Sequence, residues 1–86
     1  MSLSDLPNLG PKSRDMLEHA GIVSVAQLRQ LGAVAAYAQV QRSGQTASLN
    51  LLWALEGALT GMPWQQVARE HRTSLLLALD DRLSRR

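Results

Sequence analysis

Ser48-Leu49-Asn50-Leu51-Leu52-Trp53-Ala54-Leu55-Glu56-Gly57-Ala58-Leu59-Thr60 is the stretch whose reading decides the fold. Leu52, Leu55 and Leu59 recur at intervals of three and four, the period of a helical face. Leu49, Leu51, Trp53 and Ala58 carry the apolar surface around most of the circumference. A helix that is apolar nearly all round needs neighbours on several sides, so it belongs in the middle of the domain. Ser48 stands where an N-cap would. Gly57, inside the helix, costs about 1 kcal/mol relative to alanine, and close approach of a neighbouring helix is the expected compensation.

Working outward toward the C-terminus, Gly61-Met62-Pro63 reads as a turn. A last helical segment then runs from Pro63 or Trp64 to about Leu83, with a bend near residues 72–74, where polar side chains are densest. Leu75, Leu79 and Leu83 repeat every four residues, with Leu76 beside them. One face can close the core through Leu75 and Leu79, with Leu83 at its end. The other face, centred on Leu76, is left for water or another protein, and Leu76 and Leu83 are the candidate residues of an interaction surface for a protein partner or a second copy.

Toward the N-terminus, residues 42–47 form a polar link. A helix over about 33–42 precedes it, with Val34, Tyr37, Ala38 and Gln41 on one side. Gly32 separates that helix from an earlier one, in which Val25, Leu28 and Leu31 face inward and Ser24 with Gln27 forms a capping box. The first helix starts at Pro11 or Lys12, where a missing N–H does no harm. It buries Met16, Leu17 and Ala20, and it ends at Gly21, which accepts a left-handed conformation; Ile22 then turns inward. No run alternates with period two while carrying β-branched residues, and phenylalanine is absent. The fold class is therefore all-α: a bundle of about five short helices in a single domain over residues 1–86.

Composition narrows the function classes. A chain of 86 residues without cysteine has no disulfide, thiolate metal site or cysteine nucleophile. The size scaling gives a folded surface of roughly 5,000 Å², enough burial for a thin core that needs no staple. Nine basic and seven acidic residues leave a charge of +2, and Arg85 and Arg86 supply the whole excess, the rest of the chain balancing seven against seven. A domain that binds nucleic acid by bulk electrostatics shows a basic stripe, so this one would need a local arrangement of donors. Neither a secretory signal nor a membrane-length apolar run is visible, and the cytoplasm is the expected compartment. No membrane partner, small-molecule substrate or cofactor is indicated.

The most specific local feature is Leu6-Pro7-Asn8-Leu9-Gly10-Pro11-Lys12-Ser13, continuing to Leu17 and Gly21-Ile22. It resembles the helix–hairpin–helix motif, in which a tight turn presents backbone N–H groups at the positive end of a helix, where they can hold a phosphate oxygen. Gly10, Lys12, Ser13 and Arg14 are then the candidate contacts to a DNA backbone. Asn8 occupies a place where the motif has glycine, and it tolerates a left-handed conformation better than most residues. Pro11 removes one N–H from the display. The plainer reading is a structural corner in which Leu6, Leu9 and Ile22 are pinned and Lys12 faces water.

Beyond the hairpin, Ala20-Gly21-Ile22, Leu31-Gly32-Ala33 with Tyr37, the stretch from Leu49 to Leu59, and Trp64 after Gly61 together resemble the C-terminal domain of the TfoX family of competence regulators, also called Sxy-related proteins. The resemblance covers nearly all of residues 3–78. It implies a regulatory role in DNA uptake through transcription, with no catalytic residues to carry over. In longer family members this domain follows a separate N-terminal domain.

The residues themselves offer little for catalysis. His19 and His71 lack ligand-like spacing with each other or with a carboxylate, and His19 suits the last turn of its helix for local reasons. Ser13, Ser24 and Ser48 fit caps and first turns. Asp80 and Asp81 diverge around a helix. Catalytic, metal and cofactor residues are accordingly expected to be none. Glu56 reads either as the solvated edge of its helix or as the partner of an arginine from a neighbouring one. Tyr37, Trp53 and Trp64, the only aromatics, lack the interleaved cations of a strand-stacking surface and read as core or subunit packing. Two functions remain: a non-enzymatic regulatory or protein-interaction module, and sequence-independent binding of the DNA backbone through the hairpin.

Overall fold

The computed structural model describes residue 3 and residues 6–84. Five helices follow in order: α1 Pro11–His19, α2 Val25–Arg42, α3 Leu49–Thr60, α4 Trp64–Glu70 and α5 Arg72–Ser84. No strand occurs among the described residues. The central helix is α3. It packs most extensively on α2 and α4, while α2 also meets α5 and α1. Leu52 and Leu55 are fully buried, and Leu51, Trp53, Ala54, Gly57 and Ala58 are buried around them. The accessible surface is 5150 Å², close to what chain length alone implies.

Local signals set most of the boundaries. The Ser24 hydroxyl accepts the Gln27 N–H at 3.1 Å, while Gln27 Oε1 accepts from the Val23 N–H at 2.9 Å. The capping box therefore closes one residue earlier than the usual reciprocal pair, and Gln27 Nε2 also donates to the Gly21 carbonyl. Gly21 takes φ 87°, so the Ile22 N–H returns to the Leu17 carbonyl at 2.9 Å and Ile22 is buried.

The two helices expected on either side of Gly32 are both present within α2, separated by the non-helical φ 81° and ψ 166° of Gly32. Differences from expectation have tertiary causes. The segment after Pro63, expected as one bent helix, divides at His71 into α4 and α5. The His71 N–H closes α4 on the Val67 carbonyl, and its own carbonyl accepts the Leu75 N–H to open α5. That redirection lets Val67, Leu75 and Leu79 all reach the core. Ser48 occupies the N-cap of α3 and is exposed, but makes no side-chain cap bond. Leu49, on the first turn of α3, is also exposed.

Gly57 is needed for a different reason than helix packing. A β-carbon there would lie 2.5 Å from the Met62 carbonyl oxygen and 2.7 Å from Asn8 Nδ2. What approaches α3 is the hairpin and the turn that follows, not another helix. Asn8 adopts φ 69°, and its amide donates to the Met62 carbonyl at 2.9 Å. The left-handed asparagine thus ties the N-terminal hairpin to the far end of α3.

Candidate functional site

Leu6 and Leu9 are buried and Asn8 is bonded to Met62, so the hairpin is anchored on three residues. Gly10 follows as the N-cap of α1 with extended backbone, φ −80° and ψ 177°, and Pro11 opens the helix. The first turn of a helix leaves N–H groups without internal partners. Here Pro11 has none to offer, and the Arg14 N–H is taken by the Gly10 carbonyl at 3.1 Å. The display that remains is narrow, made of the N–H groups of Lys12 and Ser13.

The four hairpin candidates do not share one surface. Gly10 and Lys12 are exposed, and Ser13 is half-buried. Arg14 lies along the other side of α1, half-buried, with its Nε enclosed and without a hydrogen-bond partner. Lys12 and Ser13 border a groove of about 500 Å³ whose wall continues through Asn8, Asn50 and Trp64, with Met16, Leu51 and Ala54 among its apolar residues. Arg14 is not among the residues that line it.

Thr46, Ala47 and Ser48, the end of the link before α3, form another wall, and the link is held by hydrogen bonds. Gln45 Nε2 donates to the Met16 carbonyl at 2.9 Å, and the Tyr37 hydroxyl donates to the Ala47 carbonyl at 2.8 Å. Gln41 Nε2 donates to the same tyrosine oxygen at 3.2 Å. Burial pushes the Tyr37 phenol above its ordinary pKa, opposed in part by that bond from Gln41. The groove is thus built on a pinned link.

Trp64 is 38% exposed, whereas Tyr37 and Trp53 are buried, so packing accounts for two of the three aromatics and only part of the third. Position explains the difference. Trp64 is the first residue of α4, with no preceding helical turn to cover it, whereas Val67 one turn later is buried. The Pro63-Trp64 junction is the sequence signal for this placement.

On α5, Leu75 and Leu79 are buried and Leu76 is half-buried against the core edge. Exposure centres on Leu77, at 66%, with Leu83 at 43%. With about 100° of rotation per residue, Leu77 points nearly opposite Leu75, and Asp80 lies on the same outer side. The apolar exposure of α5 is therefore one position later than Leu76.

A second cavity, of about 660 Å³, opens where α2 breaks at Gly32, and Glu56 lines it with Arg42, Asp81 and Arg82. Glu56 is half-buried and makes no ion pair among the described residues, which leaves it as an edge of α3. The His19 ring lies 2.9 Å from the Asp15 carbonyl and 3.6 Å from its carboxylate, an exposed contact within one helix. Among the described residues no three His, Cys, Asp or Glu side chains gather in a way that could hold a metal ion. No helix there is long and apolar enough to cross a membrane.

Comparison with known proteins gives concordant findings. Residues 1–79 match the model of the TfoX C-terminal domain. The DNA transformation protein TfoX of Haemophilus influenzae is 37% identical over 79 residues, covering 92% of this chain and 36% of that protein. The DNA transformation protein TfoX1 of Aliivibrio fischeri is 31% identical over 75 residues, again 36% of its length. This chain therefore spans about a third of the curated relatives it matches. A crystal structure of an uncharacterized protein from Listeria monocytogenes superimposes with a TM-score of 0.81 at 26% identity, covering 98% of this chain and 96% of that one.

Proposed function

The chain belongs to the TfoX C-terminal domain family, and from that premise we propose that it is a non-enzymatic regulatory module that docks on another protein in the control of DNA transformation. The single helical domain of residues 1–86 is the unit of action, and the cytoplasm is where it works. The observation that carries the docking is the groove at the start of α1, where Trp64 stays partly uncovered beside Lys12 in a fold whose other aromatics are buried. The link to transformation comes from the two relatives and from the share of the chain they match.

The test is an exchange. This chain replaces the matching segment of the Haemophilus influenzae relative, and transformation frequency is measured in a strain lacking its own copy. Restored transformation supports the module. A hybrid that accumulates in soluble form yet restores nothing counts against it.

The hairpin favours a second reading, binding of the DNA backbone without sequence preference. Its support is the left-handed Asn8, which keeps the turn closed, and the free N–H groups of Lys12 and Ser13 after Gly10. Lys12 adds a point charge, and Arg14 contributes only by leaving its half-buried place. One phosphate contact predicts weak binding with a shallow salt dependence, a slope of about −0.9 in log K against log salt. Equal binding by wild type and the Lys12→Ala, Arg14→Ala double variant across a salt titration would remove the hairpin from this mechanism.

A further inference from the structure

We propose that the groove between the starts of α1 and α3 is a docking site for a short protein segment carrying a bulky apolar side chain beside one or two carboxylates. This deepens the interaction-module reading and rests on it. The argument begins with charge. Among the described residues Lys12 is the only ionisable group that lines the groove, and no carboxylate does. Lys12 forms no ion pair among the described residues. The remaining polar lining consists of amides and hydroxyls, including Asn50, Ser13 and Thr46. An occupant with negative charge is complemented, and one with positive charge meets Lys12.

Apolar surface gives the second requirement. Trp64 stands on the wall, 38% exposed as a residue, beside Met16, Leu51 and Ala54. A half-uncovered tryptophan next to a polar rim is the composition of an interface hot spot: an aromatic anchor in a pocket, ringed by groups that fix orientation. The volume, about 500 Å³, lies within the range of roughly 300–1,000 Å³ that well-formed ligand sites occupy. It accommodates a side chain with a short piece of backbone.

The same features disfavour a nucleic-acid strand. A stacking groove needs a track of cations to follow the backbone, and here one lysine borders the site while Arg14 lies outside it. A second copy offers Leu77 with Asp80 on the outer face of α5. Seating that face in the groove is a head-to-tail contact, which propagates into rings or filaments.

The experiment is a titration of the isotopically labelled chain, followed by NMR. The probes are blocked peptides built of aspartate, glutamate and leucine, their lysine–leucine counterparts, and a short oligothymidylate. Saturable shifts centred on Lys12, Asn50 and Trp64 are expected with the acidic peptides alone. Affinity should fall about tenfold or more in Lys12→Glu and in Trp64→Ala, with unchanged circular dichroism. Lys12 is exposed, so its variant tests the site even if the tryptophan variant fails to fold. Absence of shifts at millimolar peptide overturns the proposal. So does preferential binding of oligothymidylate, or concentration-dependent self-association that Leu77→Glu abolishes. In the exchange experiment, a hybrid that restores transformation equally well with Lys12→Glu and Trp64→Ala keeps the module and removes the groove.

Discussion

Helices α3 and α5 are both leucine-rich, yet one is the centre of the domain and the other is half in water. α3 buries seven of its twelve residues, whereas α5 buries only Leu75 and Leu79. Leucine content does not separate them, since each has five. The small residues do. Ala54, Gly57 and Ala58 let α2, α4 and the Asn8 hairpin close on several sides of α3. The outer side of α5 carries Leu77 and Asp80, and burying that carboxylate without a partner would be costly. Burial is thus decided by what a helix permits its neighbours to do.

The largest test of this contrast is Leu55→Ala. The side chain is fully buried, so its loss removes transfer energy and leaves a cavity, at a cost of about 2–5 kcal/mol. For a domain of this size that is a large part of the total stability. Urea unfolding reads it directly, and a loss below about 1 kcal/mol would mean that α3 repacks easily.

Gly57→Ala comes next and separates propensity from packing. Alanine is favoured over glycine in a helix interior by about 1 kcal/mol, so an uncrowded site would be stabilised. Here the added carbon meets a backbone carbonyl at 2.5 Å and the Asn8 amide at 2.7 Å. The expected net effect is destabilisation of about 1–3 kcal/mol from overpacking. Stabilisation on the same urea curve would show that the turn at Met62 yields freely.

Much of α3 was legible because its evidence is local. The spacing of Leu52, Leu55 and Leu59 marks a buried helix, and the Ser24–Gln27 cap, the left-handed Gly21 and the break at Gly32 are likewise written within a few residues. Asn8 in a left-handed turn was readable for the same reason. The occupant of the space over Gly57 was not, since Asn8 and Met62 come from distant parts of the chain. The choice of Leu77 over Leu76 as the exposed leucine was hidden because α5 takes its rotation from α2 and α4. The groove shared this fate. Lys12 and Ser13 could be singled out from the hairpin motif, but Trp64 and Asn50 join them only through the tertiary fold, and Arg14 is separated by the turn of α1.

A smaller effect concerns the pinned link beside α3. The Tyr37 phenol titrates above its ordinary pKa because burial disfavours the phenolate. The folded state therefore holds the proton more tightly than the unfolded chain. This contribution to stability is fully present below about pH 10, the unfolded value, and is lost as pH rises through the higher folded value. Urea midpoints measured from pH 8 to 11 should decline at the alkaline end more steeply in wild type than in Tyr37→Phe. Parallel curves would show that the hydroxyl is solvated and that Ala47 is held by other contacts.

The smallest effect belongs to the outer side of α5. Leu77 is 66% exposed and points away from Leu75 and Leu79, so Leu77→Ala removes little surface already hidden from water. Alanine also has the higher helix propensity, by a few tenths of a kcal/mol. The two terms nearly cancel, and the expected change is within about 0.5 kcal/mol. The comparison sharpens if the measurement is repeated over a range of protein concentrations, because a monomer has no reason to respond to dilution. A destabilisation above about 1 kcal/mol that appears only at high concentration, with a matching fall in sedimentation coefficient, would mean that a second copy covers Leu77. In that case α5 would be buried after all, by the assembly instead of by its own fold.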